Sequence, residues 1–232
     1  MTKKSVYKGF LIVMAVAVLL PLCLSIITRI KTKGVNKIPE YYLPERVDSA
    51  MHDGKMVYDT TFHQVADLRL INQFSDEVSL NEDLKGKILV VNFFFTDCPT
   101  ICPRLTGNMK LLQKAFKKRD LGIHLVSISV NPEADSFRRL RAFADSYGVN
   151  HDTWWFLTGN RKDIYNFARN ELRVTMQPGD GGLDDFIHTN KFVVLDRDRH
   201  IRGYYDGLDS AAVRQCADDV ILVTMEKKKK RP

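Results

Sequence analysis

The stretch Ile88 to Phe95 reads Ile-Leu-Val-Val-Asn-Phe-Phe-Phe and then breaks abruptly into Thr96-Asp97-Cys98-Pro99. A run this short and apolar, bounded by polar residues, is a strand covered on both faces, as in the centre of a sheet with helices on either side. The rest of the body alternates accordingly. Val65 to Phe74 has period-two apolar positions and reads as a strand, and Val78 to Leu84 as a short strand and turn. Arg104 to Lys118 carries Leu105, Met109, Leu112 and Phe116 at helical spacing. Ile123 to Val130 is a second buried strand. Asn131-Pro132 follows, then a helix through Tyr147 with Phe137, Leu140, Phe143 and Ala144 on one face. Trp154 to Leu157 reads as a strand and Asp163 to Leu172 as a helix. Lys191 to Leu195 and Ile201 to Tyr205 flank the turn Asp196-Arg197-Asp198-Arg199 as a hairpin, and Ser210 to Met225 closes the body as an amphipathic helix. The fold class expected is α/β, a mixed sheet flanked by helices.

The two ends of the chain differ from this body. Of 35 basic residues, seven lie in residues 1–39, where there is no acid, and five more in Lys227 to Arg231. Removing these twelve leaves 23 bases against 28 acids, so the basic character belongs to the ends and the body is mildly acidic. No nucleic-acid partner is expected, since that would need bases clustered on the folded part. Phe10 to Ile27 is uncharged and close to the ~20 residues that span a bilayer. Lys3, Lys4 and Lys8 precede it, and neither a small-residue cleavage site nor a small residue before Cys23 accompanies it. It reads as an uncleaved signal-anchor. The bases around it are nearly balanced, three before and four after. Translocation of a long domain after a first span puts the body outside the cytoplasm. The organisation expected is a short segment at 1–8, a transmembrane helix at 9–28, a linker at 29–50, one domain at 51–226 and a basic tail at 227–232.

Chemistry concentrates at Cys98-Pro99-Thr100-Ile101-Cys102-Pro103, where a buried strand hands over to a helix. A spacing of four puts both sulfurs on one face if the segment is helical. A helix N-terminus favours thiolate, the form that binds metal or attacks disulfides, while Asp97 opposes it. Cys23 in the span and Cys216 in the last helix are poorly placed to complete a four-ligand zinc site. Two thiolates with one imidazole suit copper. Of six histidines, His52 and His63 lie near the start of the body, His124 reads as a satisfied core histidine, and His151 lies in a loop. His200 reads as solvated in the hairpin turn. His188 follows the Gly- and Asp-rich loop Pro178 to Asp185 and precedes the strand Asn190 to Leu195, where loops set against rigid strands build sites.

Several blocks together resemble the SCO/SenC copper proteins. They are Phe95 to Pro103, Ser127-Ile128-Ser129-Val130-Asn131-Pro132-Glu133, Trp155-Phe156-Leu157-Thr158-Gly159, and His188 ahead of a strand pair ending in Gly203-Tyr204-Tyr205-Asp206-Gly207. The resemblance spans roughly residues 65 to 225. It implies a thioredoxin-like fold holding one copper ion through Cys98, Cys102 and His188. The protein would be membrane-anchored, delivering copper to, or reducing the cysteines of, the binuclear copper site of cytochrome c oxidase. Cys98 and Cys102 would then also be a redox-active pair able to close as a disulfide. The partners implied are that copper-site subunit, the membrane, and a thioredoxin-like reductant. Thr100 stands where the family often has an acid, and Ile187-His188-Thr189 replaces its Asp-His-Ser triplet.

Two other functions fit the same fold. A thiol–disulfide oxidoreductase of the extracytoplasmic space would use the cysteine pair, but its usual spacing is Cys-x-x-Cys, and no proline lies between Pro178 and Pro232 to face the cysteines. A peroxidase using Cys98 would leave His188 without a role.

Overall fold

The structure is a computed structural model that describes residues 14, 17, 19–21, 39–117, 121–174 and 189–226. The expected short segment 1–8, the basic tail, the loop Pro178 to Asp185 and His188 lie outside these residues, as does nearly all of the expected transmembrane stretch. Among the described residues no helix is long and apolar enough to cross a membrane. Residues 1–38 and 39–232 form two separate units.

In the larger unit seven strands form one sheet: β3 (Arg69–Asn72), β4 (Glu77–Ser79), β5 (Ile88–Phe94), β6 (Ile123–Ser129), β7 (Trp154–Thr158), β8 (Lys191–Leu195) and β9 (Ile201–Asp206). Their order is β4-β3-β7-β6-β5-β8-β9. β5, β6 and β7 run parallel, while β3, β8 and β9 pair antiparallel to their neighbours. All seven residues of β5 are buried, as its unbroken apolar run requires. Helices α1 (Cys102–Phe116), α2 (Phe137–Ser146) and α4 (Ser210–Met225) supply Leu105, Met109, Leu140 and Val220 to the core on one face of the sheet. The other face is covered by α3 (Arg161–Asn166) and the π-turn Phe167–Glu171, through Ile164, Tyr165 and Phe167. The expected helix at Asp163 to Leu172 is thus a short α-helix relaxing into a π-turn.

The expected strand Val65 to Phe74 pairs over Arg69–Asn72 alone, with Gln64 forming a single bridge to His200. Ahead of the sheet, β1 (Pro44–His52) and β2 (Lys55–Phe62) form a separate two-stranded ribbon, so the end of the stretch expected as linker is paired strand. Every residue of β1 is exposed. The base of the ribbon is pinned: His63 Nδ1 lies 2.7 Å from Glu45 Oε1, and its Nε2 lies 3.1 Å from Glu171 Oε2 on the π-turn.

The β8–β9 turn contains an element that its charged sequence conceals. Arg199 adopts a left-handed backbone (φ 66) and is buried, its guanidinium donating to the carbonyls of Leu80, Leu84, Lys87 and Asp196 and to Asn81 Oδ1. It gathers the carbonyls of the β4–β5 connection, which turn inward and have no water to accept from. His200 is correspondingly not solvated: its side chain is 12% exposed and faces Asp196. Replacing Arg199 by Met should orphan those carbonyls and cost at least about 3 kcal/mol. Urea denaturation should show a lower midpoint at unchanged slope, whereas Arg197→Met, beside it in the same turn, should change little.

Candidate metal centre

β5 ends at Phe94, and the chain turns through Thr96 to Ile101 before α1 begins at Cys102. Pro103 occupies the first turn of α1, and no side chain caps it. Proline is favoured there because its fixed φ suits the helix and its missing N–H has no partner to lose. Cys98 and Cys102 are both buried and both free thiols. In the loop the Cys98 N–H donates to the Phe95 carbonyl at 3.3 Å, and the Cys98 sulfur lies 3.9 Å from Thr100 Oγ1.

The two sulfurs are electrostatically unlike. Burial pushes the Cys98 thiol up, but hydrogen bonds from Cys102, from the backbone N–H groups of Thr100 and Cys102, and from the Thr100 hydroxyl outweigh it. The result lies at about 7 against an ordinary 9.0. Cys102 is pushed up to about 12, by burial first and then by donating to Cys98. Cys98 is thus the sulfur that ionises first, near neutrality, while Cys102 stays protonated.

A buried carboxylate sets the loop. Asp135 is 1% exposed and accepts from Thr96 N–H at 3.1 Å, from Thr96 Oγ1 at 2.5 Å and from Ser129 Oγ at 2.5 Å. It ties the segment entering the cysteine loop to the end of β6. Asp97 is held outward by Arg139 of α2. Sequence reading passed over Asp135, which precedes the Ser136 cap of α2 and looks like an acid of a helix first turn. The signal available was its place five residues after Val130, in the loop directly beyond a buried parallel strand, where sites of open sheets lie.

Of the proposed metal ligands, the structure brings Cys98 and Cys102 together, while His188 lies outside the described residues. Its neighbours are informative. β8 pairs antiparallel with β5, Val193 opposite Val91 and Leu195 opposite Leu89, so β8 begins at the end of β5 that leads into Cys98. The Asn190 carbonyl accepts from Gly207 N–H at 2.7 Å, and a Cβ on Gly207 would meet Leu105 of α1 at 2.6 Å. The other histidines are engaged elsewhere. His52 is at the ribbon tip beside Asp53, His151 sits between Gln73 and Asp145, and His63 and His200 face carboxylates. His124 is buried but not satisfied: neither ring nitrogen has a hydrogen-bond partner among the described residues, and the ring packs edge-on to Trp155 at 4.6 Å. Burial, and secondarily Lys87, lowers it to about 3, so it stays neutral. Among the described residues no three Cys, His, Asp or Glu side chains are grouped to hold a metal ion.

A thioredoxin-like α/β domain with a free dithiol where the central strand meets its helix is thus the class that fold and site define. SCO1/SenC matches residues 58–221, and the chain belongs to the SCO1/SenC family. It is 33% identical over 168 residues to the SCO1 protein homolog of Bacillus subtilis, covering 72% of this chain and 86% of that one. It is similar to the solved structure of BsSco, a member of the Sco family of cytochrome c oxidase assembly proteins in which a disulfide switch was identified. That match has a TM-score of 0.61 at 32% identity and covers 71% of this chain and 95% of BsSco. Bradyrhizobium japonicum ScoI with copper bound shares the fold, with a TM-score of 0.54 at 22% identity over 68% of this chain and 98% of that one.

Alkylation checks the thiol asymmetry. The iodoacetamide rate at Cys98, followed by peptide mass spectrometry, should rise with a midpoint near pH 7, and Cys102 should stay protected to about pH 9. Equal rates at the two cysteines would contradict the arrangement.

Proposed function

We propose that this chain is a membrane-anchored copper-binding protein that delivers copper to, or reduces the cysteines of, the binuclear copper site of cytochrome c oxidase. The observation that carries this reading is the free Cys98–Cys102 dithiol at the N-terminus of α1, with the start of β8 converging on the same end of the sheet. The donor set fits copper: soft sulfur from a short loop, with one of the two already inclined to thiolate. His188 supplies the third ligand in this reading. It stands one residue before Thr189, and the other five histidines have contacts or positions elsewhere. The Asp135 clamp on Thr96 fixes the cysteine loop, and the backbone N–H groups of Thr100 and Cys102 offset negative charge on Cys98. The relationship to BsSco supports an oxidase-assembly partner.

The low value at Cys98 beside a protonated Cys102 also supports the reductive branch. There the Cys98 thiolate attacks one sulfur of a target disulfide and releases the other as a thiol. Cys102, giving up its proton, then attacks Cys98, frees the second target thiol and closes the Cys98–Cys102 disulfide. A thioredoxin-like reductant would reopen it. Turnover on unrelated disulfides is not favoured, because the pair is buried and spaced Cys-x-x-x-Cys.

Copper loading tests the centre. The purified full chain should hold one copper ion, with a coloured Cu(II) form from thiolate charge transfer. Cys98→Ser, Cys102→Ser and His188→Ala should each weaken Cu(II) binding at least about a hundredfold, while His124→Ala, His151→Ala and His200→Ala should leave it within a few-fold. A colourless protein preferring zinc would overturn the assignment.

Anchoring through Phe10 to Ile27 and an extracytoplasmic domain belong to the same reading. They rest on the uncharged stretch of about the length that spans a bilayer and on the need to meet an outward-facing copper site beyond the cytosolic thiol pool. Alkaline phosphatase fused after Pro232 should be active in a bacterial host. An inactive fusion, with a cytoplasmic reporter active at the same point, would place the domain inside and remove the oxidase partner.

A further inference from the structure

The β1–β2 ribbon holds two thioether side chains that packing does not explain. Met51 and Met56 are 73% and 56% exposed, though a Met on a strand gains little unless it is buried. They are direct cross-strand partners, two positions from a tight turn at Asp53-Gly54 in which both residues have positive φ (49 and 72). In such a two-residue hairpin the pair flanking the turn, His52 and Lys55, is the hydrogen-bonded one, and the next, Met51 and Met56, is the close pair. Their Cβ atoms are then about 5 Å apart on one face. Each side chain has three rotatable bonds, so both sulfurs can reach a single ion between them. The ribbon base is pinned by His63 between Glu45 and Glu171 and by Tyr41 stacked on Phe62 at 5.1 Å. Nine residues of strand carry the tip roughly 30 Å from that base.

We propose that Met51 and Met56 form a surface site for one soft monovalent cation, Cu(I) in the setting proposed above; only the identity of the ion rests on that reading. Thioethers are neutral and polarizable. They favour a soft monovalent ion over Cu(II), Zn(II) or the hard divalent cations, and they bind without releasing a proton. The ion so held is exchangeable, being two-coordinate from protein and open to solvent. The site lies on an exposed tip, separate in sequence and in sheet from the buried cysteines, and its place is that of a first contact for incoming metal.

The test uses Ag(I), a redox-inert soft monovalent ion, and methyl-labelled methionine in the full detergent-solubilised chain with Cys23→Ser, Cys98→Ser and Cys102→Ser, Cys216 being fully buried. Of the seven methionine methyl resonances, two should shift and saturate at one equivalent. These should be the two that disappear singly in Met51→Leu and Met56→Leu. The buried Met109 methyl should stay in place and report an intact core. No shift, a shift confined to other methionines, or an unchanged titration in the Met51→Leu, Met56→Leu chain would overturn the site. Because Cys98 and Cys102 are replaced in this chain, loss of copper binding by the native dithiol would defeat the function proposed above and leave this result standing.

Discussion

Burial of β5 on both faces is the constraint on which the rest depends. A strand with all seven residues out of water needs a partner on each edge and a covering layer on each face. β6 and β8 supply the edges, α1, α2 and α4 one layer, and α3 with its π-turn the other. The strand cannot continue past Phe94 without carrying polar loop residues into that core. It therefore ends at the sheet margin, and the first helix of the covering layer must start close by. Cys98 and Cys102 occupy the turn this geometry demands, so the dithiol lies at a helix N-terminus as a consequence of how the centre of the sheet is buried.

The polar groups inside the structure show what apolar burial alone leaves unfinished. Asn92, within the central strand, accepts from Ser127 Oγ at 2.6 Å, and Ser127 in turn accepts from Trp154 Nε1 at 2.9 Å. This chain crosses β5, β6 and β7. Asp135 and Arg199 do the same work at opposite ends of the sheet: each is a buried charged group drawing backbone and side-chain partners from segments distant in sequence. Removing such a group leaves its partners without water or replacement, which costs more than the bond itself contributes. Asp135 differs in consequence, because its partners include the first residues of the cysteine loop. It joins the stability of the fold to the position of the sulfurs.

Local sequence determined the element order from Arg69 onward, the two buried strands to within one residue of their ends, the last helix Ser210–Met225, and the dithiol with its helix-start setting. These follow from chain-local periodicity, from apolar runs and from proline chemistry. The β1–β2 ribbon, in a stretch without apolar periodicity, was not legible. Tertiary structure decided the rest. It shortened Val65 to Phe74 to four paired residues, because pairing depends on a neighbour, β7, whose position is not written in the segment. It drew Arg199 and His200 of a charged turn inward, left His124 buried without a hydrogen-bond partner among the described residues, and separated the protonation of two chemically identical thiols. In each case the deciding quantity was burial or a partner many residues away. A pattern reports which residues can be buried; only the packed chain sets which polar atoms meet there, and so which cysteine carries the charge.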